Sequence, residues 1–167
     1  GNKNFQCRQQ GSKNLKIKNK NDLTFSTSVL HHVRNYRNVI QKLIKSSKKY
    51  VFFDAPRISF FSTFLGKINL SQRFPDRKVK KKNYVHNFVI NIEEFLNFLK
   101  QLCEKNNINE VYIFSNLLPY SSKYLEVKKS KIYFFTVLLV KGYKKKIKIS
   151  VISKDKQIKK YCEKIFK

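Results

Sequence analysis

Apolar residues recur at two different spacings along this chain, and the two spacings predict alternating helices and strands. Residues 28–47, 92–105 and 154–166 carry apolar positions every third or fourth residue, which is the helical period. Strands are predicted where an apolar run is short or alternates with polar residues, at 50–53, 57–65, 88–92, 110–114, 132–140 and 145–153. This order predicts an α+β domain, with helices packed on one face of a mostly antiparallel sheet.

The ends of these segments carry their own signals. Ser26 or Ser28 is expected to cap the first helix, and Asn91, with Glu94 three residues later, the second. Pro56 interrupts the stretch VFFDAPRISFFSTFLGK at 51–67. Because proline lacks an N–H and excludes helical geometry from the preceding residue, it predicts two extended pieces, the second running from Arg57 to Leu65. Residues 67–87 are expected to be a basic connector.

The same pattern divides the chain into two segments of different composition. Residues 1–27 read as a basic N-terminal extension that is poor in apolar residues, and residues 28–167 as a single α+β domain. The longest apolar run covers only 132–140, too short for a helix that spans a membrane. No secretory signal is recognisable at the N-terminus. Cys7, Cys103 and Cys162 are predicted to be reduced thiols, the last two on the core faces of helices.

The charge of the chain is the strongest indication of its partner. The chain has 37 Lys and Arg against 10 Asp and Glu, a net charge of +27. Such a charge repels itself in a compact chain, and a polyanion relieves that repulsion. Nucleic acid is therefore the leading partner class, with an anionic membrane surface second. The scattered carboxylates, the four glycines and the histidines offer no catalytic set, metal site or cofactor loop, so the chain is predicted not to be an enzyme. His31 and His32 are expected at the surface or facing RNA, not in a catalytic site.

Four segments taken in order resemble the L-five family of large-subunit ribosomal proteins, the bacterial-type protein that binds 5S rRNA. They are LHHVRNYRNVIQKLIKSSKKYVFFDAPRISFFSTFLGK at 30–67, VINIEEFLNFLKQLCE at 89–104, KYLEVKKSKIYFF at 123–135 and KKIKISVISKDKQIKKYCEKIF at 145–166. Between the first long strand and Phe88 the family has a further helix and strand that this chain lacks. The chain therefore looks like a divergent organellar member.

The resemblance implies a structural protein of a large ribosomal subunit, mitochondrial or alternatively plastid, at the central protuberance. Its implied partners are 5S rRNA or an organellar replacement, large-subunit rRNA, neighbouring ribosomal proteins with a small-subunit bridge partner, and P-site tRNA. The rival hypothesis is a stand-alone RNA-binding or ribosome-assembly factor of an organelle, and a nuclease is the third.

Contact with RNA is expected mainly through phosphates and shape. Arg57 could equally form an ion pair with Asp54. Tyr36 and Tyr84 could stack on bases, although core packing suits Tyr36 better. No cofactor and no metal are predicted. The residues predicted to bind RNA are Arg34, Arg37, Lys45, Arg57, Lys67, Arg73, Arg77, Lys78, Lys80, Lys81 and Lys82.

Overall fold

The computed structural model describes residues 20–60, 63–69, 84–117, 131–143 and 146–167, with the backbone alone at 63–69 and 84–87. Its helices are a short 3-10 helix at Leu30–His32, followed by α1 (Tyr36–Ser46), α2 (Ile92–Lys105) and α3 (Lys156–Phe166). Its strands are β1 (Asn21–Ser26), β2 (Ser47–Asp54), β3 (Arg57–Ser59), β4 (Thr63–Asn69), β5 (Tyr84–Asn91), β6 (Ile108–Leu117), β7 (Tyr133–Lys141) and β8 (Lys148–Ser153).

All of these strands belong to one mixed sheet built around β7. One edge of β7 pairs with β6 in antiparallel fashion, and the other pairs first with β2 and then with β3. Beyond these lie β1 next to β2, β8 next to β6, and β5 with β4 next to β3. Three of the seven pairings between described strands are parallel: β1–β2, β3–β5 and β6–β8.

The mostly antiparallel sheet that the sequence predicted is therefore corrected to a mixed one. Strand β1 falls within residues predicted as part of the basic extension, and it pairs in parallel with β2 because α1 carries the chain back between them. Strand β8 skips its sequence neighbour β7 and pairs with β6. Hydrophobic patterns mark strands but contain no information about strand direction, so the pattern alone could not distinguish these two arrangements.

Pro56 separates two strands that lie end to end along the same edge of β7. Before the break Phe53 pairs with Val137, and after it Ile58 pairs with Tyr133. In between, the Ala55 N–H donates to the Phe135 carbonyl over 2.8 Å. Because Pro56 has no N–H, the ladder is interrupted there and resumes beyond it. The predicted pair of extended pieces around Pro56 is confirmed.

The predicted single strand from Arg57 to Leu65 is wrong. β3 ends at Ser59, and β4 begins at Thr63. Arg57 and Thr63 are both aligned with Val89 of β5, the first in a parallel ladder and the second in an antiparallel one. The chain therefore passes from one edge of β5 to the other. A continuous run of β-favouring residues does not reveal such a crossing.

The helices cover one face of the sheet and form the core with it. Buried side chains from α1, α2 and α3 meet the inward-facing residues of β2, β6, β7 and β8 in one cluster. Cys103 and Cys162 lie in that cluster as free, buried thiols, as predicted. Thr24 of β1 ties the sheet edge to this layer, because its hydroxyl donates to the Leu43 carbonyl of α1 over 2.9 Å.

Helix ends differ in how well the sequence predicted them. Asn91 caps α2 as predicted, its side-chain oxygen accepting from the Glu93 and Glu94 N–H groups, and α2 ends at Lys105. The first helix was predicted over 28–47 but begins only at Tyr36. Ser28 has a positive φ of 55°, and extended geometry at Val33 separates the 3-10 turn from α1. The predicted capping by Ser26 or Ser28 is wrong, since Ser26 belongs to β1.

Candidate nucleic-acid interface on the open face of the sheet

The face of the sheet opposite the helices is rich in aromatic and aliphatic side chains. Along β7 the residues alternate, with Phe135, Val137 and Leu139 buried against the helices and the intervening residues only partly buried. Strand register extends the same two faces to β1, β2, β6 and β8. We call this outward side of the sheet the open face; besides charged residues it carries Leu23, Phe25, Tyr50, Phe52, Tyr112, Phe114, Phe134, Thr136, Leu138, Val140 and Ile152.

Strand register arranges these side chains in rows across the sheet. Phe25 pairs with Phe52, Phe52 with Leu138, and Leu138 with Tyr112. Neighbouring strands lie about 4.8 Å apart, so side chains in one row can contact one another. The pairings place aromatic rings on β1, β2 and β6 in a single row, with the aliphatic Leu138 between them.

The second and third rows continue this surface on either side. One row joins Leu23, Tyr50 and Val140, and the other contains Thr136, Phe114 and Ile152. Phe25 is 68% exposed, Ile152 58%, Tyr50 44% and Phe114 38%. Large apolar side chains grouped on one exposed surface typically mark a binding site.

The carboxylates on this face are already engaged. Asp54 accepts from the Thr136 hydroxyl over 2.9 Å and from the Ser28 N–H over 3.1 Å. The Tyr112 hydroxyl donates to Glu110 over 2.6 Å, and this hydrogen bond raises the pKa of Tyr112. Lys148 lies beside Glu110 in the register. The face therefore offers aromatic rings with few unengaged negative charges to repel a phosphate.

Among the described residues that were predicted to bind RNA, Arg34, Arg37 and Lys45 lie outside the open face. Arg37 and Lys45 are exposed on α1, in the helix layer. Arg37 forms an ion pair with Glu94 of α2, and its guanidinium lies 5.3 Å from the Phe98 ring centroid. Arg34 is exposed in the turn before α1, and Arg57 is half-buried in β3. The contacts of Arg37 link two helices.

The structure describes only some of the other positions singled out from the sequence. Lys67 lies in β4, where the backbone alone is described. Tyr36 is a core residue, as preferred. The predicted surface position of His31 is wrong, because this residue is 6% exposed and its ring contacts that of His32. Outside the described residues lie Cys7, Arg73, Arg77, Lys78, Lys80, Lys81 and Lys82.

Sequence reasoning missed the open face for an identifiable reason. The run 132–140 is continuously apolar, which is typical of a strand buried on both sides. In the structure every second residue from Phe134 to Val140 is only half-buried. The available signal was the alternation in β8, where Lys148 and Ser150 face away from the core, and in β2, where Tyr50 and Phe52 do.

In the part of the chain that the structure describes, neither a ligand cluster for a metal ion nor a membrane-spanning helix occurs. There, no three His, Cys, Asp or Glu side chains come close enough together to hold a metal ion. Helices of the described segments are all too short or too polar to span a bilayer.

This chain has a weak structural likeness to two solved proteins. No protein-family model and no curated protein matches the chain. A solved structure of magnesium protoporphyrin IX methyltransferase from Synechocystis PCC 6803 with bound SAH matches at 12% identity and a TM-score of 0.41, over 80% of this chain and 49% of the other. The N-terminal domain of EvdMO1 with SAH bound matches at 9% identity and a TM-score of 0.47, over 81% and 53%.

These findings go against the ribosomal resemblance, and the predictions that rested on it are corrected. The matched structures are a methyltransferase and a domain with SAH bound, not L-five ribosomal proteins. The L-five-like fold, the structural role in a large ribosomal subunit and the alternative of an organellar RNA-binding or assembly factor gain no support from them. The prediction that the chain is not an enzyme is likewise withdrawn; a matched structure is a methyltransferase, and that likeness assigns no activity to this chain.

The likeness itself assigns no activity to this chain. The chain spans about half the length of each matched structure. SAH is a ligand of those two proteins, and TM-scores below 0.5 carry no conclusion about what this chain binds.

Proposed function

We propose that this chain binds a single-stranded nucleic acid on the open face, with bases stacked on its aromatic side chains and phosphates held by surrounding lysines. The observation that carries the proposal is the combination of aromatic rows, on a sheet face that none of the described helices covers, with a net charge of +27. Of the predicted partners, the proposal retains a nucleic acid but not the ribosome. The mitochondrial location stays a prediction.

Stacking explains why aromatic rings, rather than arginines alone, would form the contact surface. Every base has a π-face, and a stacked base contributes about 1–3 kcal/mol as judged by alanine substitution. A sheet face suits unpaired bases because its side chains stand perpendicular to the sheet and alternate at regular spacing. Phe25, Tyr50 and Phe114 are exposed enough for a base to reach them.

Positive charge lies at the margins of the same face. Lys48 and Lys148 are exposed near the ends of β2 and β8, on the outward side of their strands. Lys20 is exposed directly before β1, at the sheet edge. These ammonium groups can neutralise phosphates while the rings between them take bases.

The test is binding of a fluorescent single-stranded oligonucleotide to the full chain and to two variants. Tyr50→Ala and Phe114→Ala are each expected to weaken binding roughly tenfold, in line with the loss of one stacked base. Tyr143→Ala is the matched control, because Tyr143 is fully exposed but lies in the turn after β7. Unchanged affinity in both open-face variants, or an equal loss in the control, would overturn the proposal.

A further inference from the structure

A second surface feature lies where β6 and β8 end side by side. The two strands are parallel, and Ser115 is aligned with Ser153 near their carboxyl ends. A cavity of about 590 Å³ opens there, between the strand ends and the N-terminus of α3. We call it the strand-end cavity; the lining residues that matter below are Ser115, Asn116, Lys131, Lys154, Asp155 and Lys156.

The charges around the strand-end cavity are predominantly positive. Lys131, Lys154 and Lys156 line it and are exposed, while Asp155 supplies a single negative charge. Asp155 also caps α3, accepting from the Gln157 N–H over 2.9 Å. Three lysines against one carboxylate leave the cavity with an excess of positive charge.

Asp155 is itself held as a fixed structural anion. The Tyr133 hydroxyl donates to it over 2.7 Å, and the Lys131 ammonium lies 3.6 Å away. Its hydrogen bond from Tyr133, followed by those from the helix N-terminus, lowers the pKa of Asp155. The lysines that remain without this partner in the described structure, Lys154 and Lys156, face the cavity from the start of the helix.

Ser115 points to a ligand independently of charge. It is 5% exposed, and its hydroxyl oxygen is fully buried with no hydrogen-bond partner within the described residues. Buried hydroxyls are normally hydrogen-bonded, so an unpaired one that lines a cavity calls for an explanation. A ligand oxygen that accepts from this hydroxyl would supply the missing bond.

The N-terminus of α3 adds a third contribution. α3 has 11 residues, long enough for its aligned peptide dipoles to favour an anion at the N-terminal end. Two of its N–H groups, those of Gln157 and Ile158, already donate to the Asp155 carboxylate, so the helix contributes a favourable potential rather than free donors. The serine hydroxyl and the lysine ammonium groups are the donors left for a phosphate group.

We propose that the strand-end cavity binds a phosphate group. Two sources supply this chemistry: free phosphate, and the terminal phosphate of a nucleic acid lying on the open face. The second is geometrically accessible, because Asn116 lines the cavity and is also the neighbour of the open-face residue Phe134. The cavity itself does not depend on the proposed function, although its terminal-phosphate source does.

The first measurement is the binding of inorganic phosphate to the full chain, detected by NMR or calorimetry. Binding is expected to weaken about tenfold in Lys154→Gln and in Ser115→Ala, because each removes a charge-assisted hydrogen bond. Lys159→Gln is the control, since Lys159 is exposed on α3 but does not line the cavity. Far-ultraviolet circular dichroism and the melting temperature establish that each variant is folded before its binding is scored.

Two oligonucleotides of identical sequence, with and without a terminal phosphate, distinguish the sources. A several-fold preference for the phosphorylated strand, lost in Lys154→Gln, would support the terminal-phosphate source. Binding of inorganic phosphate without that preference would support free phosphate. The proposal is overturned if neither probe responds to Lys154→Gln and Ser115→Ala, or if Lys159→Gln has the same effect. Continued binding of the unphosphorylated strand would leave the open-face proposal standing by itself.

Discussion

Single residues decide how two of the described helices, α2 and α3, begin. Asn91 accepts from two N–H groups of α2, and its amide also donates to the Phe60 carbonyl over 2.8 Å. The side chain therefore joins the helix start to the end of β3. Asp155 performs the equivalent capping at α3. Both contacts are local enough that short sequence motifs can reveal them, as Asn91 with Glu94 did.

Replacing Asn91 with alanine is expected to lower the free energy of unfolding by about 1–2 kcal/mol, because it removes the cap and one further hydrogen bond. Urea unfolding followed by circular dichroism measures the change. Asn97→Ala is the control, since Asn97 is exposed in the middle of α2, where alanine favours the helix. Equal effects of the two substitutions would show that the Asn91 contacts contribute nothing.

The two described cysteines are expected to be chemically inert in the folded protein. Burial raises the pKa of the Cys103 and Cys162 thiols to about 12, so almost no thiolate is present near neutral pH. In a Cys7→Ser chain, alkylation followed by mass spectrometry should proceed only as fast as the protein opens, and quickly in urea. Rapid labelling of either thiol under native conditions would contradict the burial that the structure shows.

At the scale of elements, β7 separates two chemically different sides of the sheet. Leu139 is fully buried against the helices, while Leu138 beside it lies half-buried on the open face. The strand reads as continuously apolar, yet its two sets of residues have different tasks. One set stabilises the core, and the other forms the row between Phe52 and Tyr112.

Leu139→Ala and Leu138→Ala form a matched pair that tests this division. The first is expected to lower the free energy of unfolding by about 3 kcal/mol, through lost burial and a cavity. The second should cost less than about 1 kcal/mol while weakening oligonucleotide binding. Denaturant unfolding and a binding titration on both variants decide the matter. Similar losses of stability would mean that both faces of β7 are covered.

At the scale of the whole molecule, the net charge of +27 dominates behaviour in solution. A polyanion that neutralises several lysines releases counterions and relieves self-repulsion at the same time. The positive charge is spread over helices, strand ends and segments beyond the described residues. Charge therefore favours association with any polyanion, and the aromatic rows supply the preference for unpaired bases.

Oligonucleotide binding is expected to fall steeply with salt. If about five phosphates are neutralised, affinity should drop roughly a hundredfold between about 50 and about 200 mM salt. Tyr50→Ala should lower affinity at every salt concentration without changing the slope, whereas Lys148→Gln should reduce the slope. A binding constant independent of salt would contradict a phosphate-based contact, and a changed slope in Tyr50→Ala would contradict stacking.

What the sequence by itself determined was the local structure: α2 with its cap, the span of α3, the interruption at Pro56 and the burial of Cys103 and Cys162. These features depend on contacts between residues close in sequence, or on one apolar face of a helix, so spacing reveals them. Only the tertiary structure decided which strands are parallel and which side of β7 the helices cover. It also brought Ser115, Lys131 and Lys156 around one cavity, because strand pairing joins segments far apart in the chain and leaves no mark in local spacing.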